Sequence, residues 1–385
     1  MGAVARDLLD GWSTVDAVDH HCHPLRRWPF TLTALELRSG FTEALDPIIP
    51  AEHVPYTAAY AGALKRLAAE LGCQSREADV IERRNRLDPQ TYARALFAST
   101  RTGTMLVDTG FASADSFTLP EQETALGIKQ REIVRLETLA ETLVKEARDV
   151  DDWFSRVRFA LQAARTAGAV GVKTICAYRA SLVLTSPDRD HLETEFGRLK
   201  LSTSDGNAAR IGGDTLCHAL LLQAARECVR LDLPLQVHCG FGDPDEDLAK
   251  ASPLGLRPLF VDPIFRGLRV ALLHCYPYHR EAAYLCGVFP GVYMDLSLTI
   301  PFAGLEGVRA MKETLGLCPT SKLLYASDAT RYPEVFFVAA SLHREALAEA
   351  LAELVDRGIV SHAEAIEAGR RVLIENSRHV YKLES

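Results

Sequence analysis

The feature that most constrains the fold is a series of eight short apolar runs separated by longer segments. Several runs are almost continuously apolar, as is typical of parallel strands covered on both faces. Most of the longer segments have a helical pattern, for example DTLCHALLLQAARECVRLD before the fifth run. The predicted strands are 17–23, 103–110, 132–137, 169–176, 233–239, 268–275, 291–298 and 322–328. This alternation predicts an α/β fold, a (β/α)8 TIM barrel, formed as one domain over residues 1–385.

Two connections are too long for simple crossovers. Residues 24–102, after the first strand, are largely helical in pattern and predict a helical insertion at the mouth of the barrel. Residues 178–213, after the fourth strand, are polar with Ser, Asp and Gly turn signals and predict a long loop, a lid or a specificity loop.

The composition limits the classes of partner. With 48% hydrophobic and 24% charged residues, the chain has the makeup of a soluble protein with a substantial core. A formal net charge of -8 argues against nucleic acid, because phosphate backbones require clustered Lys and Arg. No apolar run approaches the ~20 residues of a membrane span, and the N-terminus lacks the apolar stretch of a secretory signal. The nine cysteines include no CxxC pair, so we expect buried free thiols and a cytoplasmic protein.

Polar residues stand at the carboxyl ends of the apolar runs, where the active site of a TIM barrel forms. The first run ends in DHHCH, and an extended strand places the side chains of His21 and His23 on one face. The fourth run contains Lys173, and the fifth, sixth and eighth runs end in His238, His274 and Asp328. We therefore expect these six side chains to converge on one point.

Each of these residues also has a simpler explanation. His238 or His274 could be a hydrogen-bonded core histidine, and Asp328 could cap the following helix. Lys173 is harder to explain, because a lysine buried within a strand must be paired or modified. Carbamylation by CO2 would turn it into an anionic ligand that bridges two cations. It is improbable that a separate simple explanation applies to each of these residues, all at the same ends of their strands. We therefore favour a metal site.

Imidazoles and carboxylates suit Zn2+ best, with Mn2+ or Fe2+ as alternatives. The two histidines of the first strand would hold one ion together with Asp328. His238 and His274 would hold a second ion, with carbamylated Lys173 between the two. A metal-bound water loses its proton near neutral pH and becomes a nucleophile. Asp328 is placed to take that proton and deliver it to the leaving group.

Longer stretches resemble the nodulin-like branch of the amidohydrolase superfamily of metal-dependent hydrolases. They are GVKTICAYRASL (171–182), LPLQVHCGFGDPDEDL (233–248) and LHCYPYHREAAYLCGVFPGVYMDLSL (273–298), continued by YASDATRYPE (325–334). Members of this branch include the amidohydrolase half of fungal and plant proteins fused to a glutamine-synthetase-like domain. The resemblance implies a TIM barrel, divalent metal at the strand ends, and hydrolysis.

The same resemblance implies roles for individual residues. The superfamily's most general metal and catalytic positions fall on His21, His23, His238 and Asp328. Lys173 and His274 match positions of its binuclear members. In mononuclear members the sixth-strand histidine is a base or a substrate contact, which would give His274 a catalytic role. Some members without a fourth-strand lysine ligand catalyse decarboxylation or isomerisation. The number of bound ions, one or two, therefore stays open.

Candidate substrate-binding residues follow the strand ends: Tyr178, Arg179, Asp243 with Asp245, and Arg331. Surface ion pairing is the simpler explanation for each. Alternatively, an arginine could clamp a substrate carboxylate while the acidic loop meets an ammonium group. A carboxylate and an ammonium group on one substrate are characteristic of an α-amino acid. In addition, the fusion partners of similar proteins resemble enzymes that form γ-glutamyl amides. The favoured hypothesis is therefore hydrolysis of the C–N bond of a small carboxylate-bearing amide, such as a γ-glutamyl amide.

Two rival functions stay open. The first is a metal-dependent decarboxylase of a small carboxylic acid, which requires one ion, an unmodified Lys173 and CO2 as product. The second is a non-catalytic scaffold, since fold alone does not fix function. The expected partner is a small molecule, and because such barrels often dimerise through their helical shell, a homo-oligomer also stays open.

Overall fold

The core of the molecule is a curled parallel sheet whose strands follow each other in chain order. The structure is a computed structural model that describes residues 1–203 and 207–384. Within these residues the regular strands β1 to β7 are Ala17–Cys22, Thr102–Asp108, Lys129–Arg135, Gly171–Thr174, Leu235–Cys239, Val270–His274 and Val292–Met294. The seven correspond to the first seven predicted strands. Every residue of β1 and of β4 to β7 is buried, as expected for strands covered on both faces, whereas β2 and β3 are buried only in part.

Residues 322–328, the predicted eighth strand, lie between β7 and β1 without forming a regular strand. The N–H of Leu324 donates to the carbonyl of Met294 in β7, at 2.8 Å. The N–H of Asp328 donates to the carbonyl of His21 in β1, at 3.0 Å. Both edges of the sheet thus bind the same segment, which we call the closing segment. The result is an α/β barrel-like fold.

Helices cover the outside of the sheet and fill the connections. In chain order α1 to α9 are Ala3–Gly11, Ala34–Ser39, Ala58–Leu71, Glu77–Asn85, Pro89–Ser99, Leu119–Leu126, Leu136–Leu143, Val150–Thr166 and Arg189–Ser202. They are followed, as α10 to α17, by Asp214–Leu231, Arg257–Val261, His279–Val288, Thr299–Phe302, Leu305–Leu315, Pro333–Asp356, His362–Arg370 and Asn376–Tyr381.

Helices α2 to α5 occupy the long connection between β1 and β2, where the sequence predicts a helical insertion over 24–102. They share a hydrophobic cluster with α15, in which Leu67, Leu96 and Phe336 are buried. Arg84 of α4 pairs with Glu334 of α15 at 2.7 Å, with both side chains almost fully buried. This connection is therefore fixed to the last long helix of the chain.

The segment after β4 differs from the predicted long loop, because it contains α9. Asp188 caps this helix by accepting hydrogen bonds from the N–H groups of Asp190 and His191. The buried residues Leu192, Phe196 and Leu199 follow helical spacing, and the Phe196 ring stacks on Trp153. Turn-forming residues at both ends conceal this short amphipathic pattern in the sequence. The remainder of the predicted loop includes residues 204–206, which lie outside the described residues.

None of the helices within 1–203 and 207–384 combines the length and apolar character needed to cross a membrane. All nine cysteines carry free thiols, and all except Cys73 are buried. The buried thiols agree with the expectation from the sequence.

Candidate metal centre

Two histidines at the end of β1 face one carboxylate. Nε2 of His21 lies 3.1 Å from Oδ1 of Asp328, and Nε2 of His23 lies 3.3 Å from the same oxygen. Each residue offers an atom that could bind a metal, and these three atoms lie within 4.8 Å of one another. Cys22 turns the other way, with its thiol directed at the carbonyl of Leu106. The alternation of side chains along an extended strand thus produces the arrangement expected from HxH.

The three residues fit a cation. Oδ1 of Asp328 is buried and accepts no hydrogen bond of good geometry from the described residues, although two imidazole nitrogens lie close to it. Burial opposes ionisation of Asp328, but His274, His21 and His23 hold the pKa of this carboxyl well below its ordinary value. Burial, reinforced by the charge of Lys173, lowers the pKa of His21 to about 4. A neutral imidazole beside a carboxylate is the form in which both groups donate electron pairs to a metal.

Lys173 of β4 reaches the same point. Its Nζ atom lies 3.1 Å from Nε2 of His21, and the residue is 2% exposed. No carboxylate of the described residues pairs with it within 4.0 Å. Burial lowers the pKa of this amine, against the opposing attraction of Asp108 and Asp328. The lysine is therefore buried without a direct ion pair, as expected for a residue that is modified or serves the site.

His274 of β6 and His238 of β5 complete the group of histidines. The two rings lie 4.5 Å apart, and Nδ1 of His274 is 3.5 Å from Oδ2 of Asp328. Burial holds the pKa of His274 well below its ordinary value. His238 has its Nε2 atom 2.9 Å from Oε2 of Glu246, and the Tyr178 ring lies over it at 4.4 Å.

These side chains surround a cavity of about 360 Å³ at the carboxyl ends of the strands. Most of the predicted site residues line it: His23, Lys173, Tyr178, Arg179, His238, Asp243, His274 and Asp328. His21 lies directly behind them, through its contacts with Lys173 and Asp328. Asp245 also lines the wall, where it pairs with Arg210.

Arg331 is placed differently from the other candidates. Its guanidinium binds Asp115 at 2.9 Å and the hydroxyl of Ser113 at 2.7 Å, and it is not among the lining residues. The pairing with Asp115 raises the pKa of Arg331 and holds that of Asp115 low. A role for Arg331 in substrate binding stays a prediction, one that would require this ion pair to open.

The sequence patterns did not identify several residues in or beside the cavity wall. Arg135 at the end of β3 lines the cavity and forms an ion pair, at 2.7 Å, with the buried Asp108 at the end of β2. The rule that selected the other strand ends would have found this pair. Glu43, from the connection after β1, also lines the cavity. Burial, with the charges of Asp328, Asp243 and Glu246, raises the pKa of Glu43 to about 8. No local signal in the sequence marks this residue.

A curled parallel sheet with imidazoles and a carboxylate at its carboxyl edge defines a metal-dependent enzyme of the barrel-like α/β class. Residues 151–383 match the family model described as Amidohydrolase, and the chain belongs to that family. It is an enzyme, a metal-dependent hydrolase in general terms, and its family implies a divalent metal.

The chain is 32% identical over 224 residues to protein FluG of Emericella nidulans, an alignment that covers 56% of this chain and 26% of FluG. It therefore spans about a quarter of that relative. A crystal structure from Lactobacillus casei, of a protein assigned by inference as a metal-dependent hydrolase, superposes with a TM-score of 0.89. The two are 30% identical, and 97% of each chain is covered. A uronate isomerase from Bacillus halodurans shares the fold, at 12% identity, a TM-score of 0.70 and coverage of 99% and 96% of the two chains.

Proposed function

We propose that this enzyme hydrolyses the C–N bond of a small carboxylate-bearing amide, with a γ-glutamyl amide as the first candidate. The observation that carries the proposal is the meeting of His21, His23 and Asp328 at the base of a cavity with charged walls. At about 360 Å³ the cavity is in the range of pockets for small molecules. When bound, a divalent cation lowers the pKa of water so that hydroxide is available at neutral pH.

The proposed metal is Zn2+, because imidazole and carboxylate donors suit it, and Mn2+ or Fe2+ are the alternatives. One ion would be held by the two β1 histidines and Asp328. A second would be held by His238 and His274, with Lys173 between the ions as a carbamate. The burial of Lys173 and its lowered pKa support this assignment, because a neutral amine is the form that combines with CO2.

Asp328 is the proposed proton carrier. Its Oδ1 atom faces the β1 histidines, while Oδ2 lies 3.5 Å from His274. Hydrolysis releases a proton from water and must supply one to the departing nitrogen. A carboxylate between the site of attack and the cavity can accept the first and deliver the second. His274, the second proposed catalytic residue, lies close enough to orient this carboxylate or to contact the substrate.

Arg179 and the acidic loop are the proposed specificity elements. Arg179 lines the cavity, and its guanidinium has two long contacts, an ion pair with Glu141 at 3.6 Å and a hydrogen bond to the carbonyl of Ile211 at 3.3 Å. It can therefore turn to a substrate carboxylate. Asp243, on the loop after β5, faces the same cavity and would meet an ammonium group. Tyr178 packs on His238 and would cover the substrate from one side.

The test is a panel of γ-glutamyl amides given to the enzyme loaded with Zn2+ or Mn2+, with release of free amine as the measurement. We expect amine release that depends on the added metal and is lost in Asp328→Asn. Arg179→Lys should retain kcat but raise KM, because lysine keeps the positive charge but cannot form a bidentate contact with the substrate carboxylate. Absence of amine release from every member of the panel, with metal bound, would rule out this substrate class.

A metal-dependent decarboxylase is the second candidate. It is favoured by one observation, that His238 already has Glu246 as a partner at 2.9 Å, which leaves one compact three-residue metal set among the described residues. This candidate predicts one ion, unmodified Lys173, and CO2 as the product from small carboxylic acids.

For the fold, we propose that the closing segment is the eighth strand of a (β/α)8 barrel, with 24–102 as an insertion within a single domain. A cytoplasmic location, a small-molecule partner and a homo-oligomeric state are retained as proposals.

A further inference from the structure

We infer that Asp295 and Ser297, just after β7, are positioning residues that fix the tautomer of His274 and leave its Nε2 atom as the electron-pair donor. The inference rests on the proposed metal site and on no particular substrate. It concerns two residues that the strand-end pattern of the sequence does not select.

Asp295 is fully buried and collects hydrogen bonds from three donors on one oxygen. Its Oδ1 atom accepts from the backbone N–H of His274 at 2.8 Å and from the N–H of Ser297 at 2.9 Å. It also accepts from the hydroxyl of Ser297 at 2.7 Å. An ionised carboxylate has no proton to give, so the single hydroxyl proton of Ser297 is directed at Asp295.

The Ser297 hydroxyl then has only lone pairs to offer to His274. Its oxygen lies 2.8 Å from Nδ1 of that ring. The hydrogen in this contact must therefore be on Nδ1, which donates it to the serine oxygen. A neutral imidazole carries one N–H, so Nε2 of His274 is unprotonated and can act as a ligand or a base.

The other oxygen of Asp295 faces His20 on the opposite side. Oδ2 lies 2.8 Å from Nε2 of His20, an ion-pair distance without good hydrogen-bond geometry, and Nδ1 of His20 is 2.9 Å from the Tyr381 hydroxyl. Gln236 donates to that hydroxyl at 2.8 Å. Asp295 thus stands at the centre of a buried network that extends to the last helix, and the network restricts the movement of the carboxylate.

The same carboxylate supports an unusual backbone. His274 has φ of +66°, in the left-handed region that few residues other than glycine adopt. The bond from its N–H to Asp295 and the bond that its carbonyl accepts from Thr299, at 2.7 Å, fix this conformation. Ring and backbone of His274 are therefore oriented by one short segment after β7.

The direct test is nitrogen NMR of the metal-free enzyme with ring-15N histidine, which distinguishes the two neutral tautomers. The His274 signals are assigned by their loss in His274→Asn, since asparagine tolerates a positive φ. We expect the Nδ1–H tautomer for His274. Observation of the Nε2–H tautomer in the wild-type protein would overturn the inference, without reference to substrate or activity.

The second test compares Ser297→Ala with Ser377→Ala, a buried serine whose hydroxyl has no hydrogen-bond partner among the described residues. Zn2+ affinity is measured by competition with a chelating dye. Loss of a partner that orients a metal-binding histidine typically weakens affinity by about 10- to 100-fold, which we expect for Ser297→Ala and not for Ser377→Ala. Wild-type Zn2+ affinity and tautomer in folded Ser297→Ala would refute the positioning role.

Discussion

His274 and Asp328 end their segments in the same left-handed backbone conformation, with φ of +66° and +51°, and their side chains approach to 3.5 Å. Such a conformation costs a residue with a β-carbon about 1–3 kcal/mol and persists where surrounding contacts impose it. Asp295 imposes it on His274, and the hydrogen bond to the carbonyl of His21 helps to impose it on Asp328. Both residues point into the cavity because their backbones are held in this way.

Replacement of Asp328 by Asn should abolish turnover rather than folding. The amide keeps the shape of the carboxylate but offers a weaker ligand and cannot carry a proton. We expect kcat/KM to fall about 10²- to 10⁴-fold, the usual contribution of a general acid or base, and bound metal to decrease. Steady-state kinetics and elemental analysis of the same preparation measure the two effects. Near-normal turnover would exclude Asp328 as the proton carrier.

Lys173→Met tests the number of ions. It removes the amine that would become a carbamate and keeps most of the buried volume. For a two-ion site we expect metal content to fall from about two ions per chain towards one, because the bridging anion is lost. A 13CO2-labelled wild-type enzyme should also show a carbamate carbon signal. One ion per chain in both proteins, with no such signal, would support the single-ion alternative.

Glu43 should make the stability of the metal-free enzyme fall between pH 4.5 and about 8. Burial raises the pKa of this carboxyl from 4.5 to about 8, so the folded state retains a proton that the unfolded state has lost in this range. The stabilisation is complete below pH 4.5 and is lost as the pH rises through 8. Urea unfolding across this range should show a smaller decline for Glu43→Gln. Identical pH profiles would show that Glu43 is ionised in the folded enzyme.

Arg84→Met should loosen the helices after β1 from α15. It leaves the Glu334 carboxylate buried without its partner, which typically costs about 3–5 kcal/mol. The double variant Arg84→Met with Glu334→Gln removes the unpaired charge and should recover part of that loss. Urea denaturation compares the three proteins. Equal stability of the single and double variants would mean that the carboxylate finds another partner or water.

Removal of metal by a chelator should lower the thermal midpoint, with recovery when Zn2+ is restored. An ion that binds only the folded state stabilises it in proportion to the logarithm of its concentration. The effect should be much smaller in Asp328→Asn, which loses a ligand common to both metal schemes. An unchanged midpoint in the wild-type protein would argue against a site of useful affinity.

The strand ends were predictable because they depend on local pattern. Nearly continuous apolar runs identify strands that are buried on both faces. A parallel sheet brings the carboxyl ends of these strands together, however the helices pack around it. His21 and Asp328 meet for this reason, although they lie near opposite ends of the sequence. The helical nature of the connection after β1 could likewise be inferred from its periodicity.

Partners that depend on tertiary structure could not be predicted. Glu43 reaches the cavity only because the helices after β1 pack against α15. Arg331 forms its ion pair with Asp115, a residue distant from it in the sequence. The irregular closing segment is a related case. Its apolar pattern predicts a strand, but side-chain bonds such as that from Ser327 to Asp19, together with the positive φ of Asp328, disturb regular pairing.

The closing segment also governs when the enzyme can become active during its synthesis. The histidines of β1 are synthesised before the other strands, and Asp328 with the residues that join β7 to β1 follows after all seven. Until the closing segment is made, the sheet has two unpaired edges, and the candidate metal centre lacks its carboxylate. A bound ion would contribute its binding free energy to ring closure, so that cellular metal supply would influence folding yield as well as catalysis.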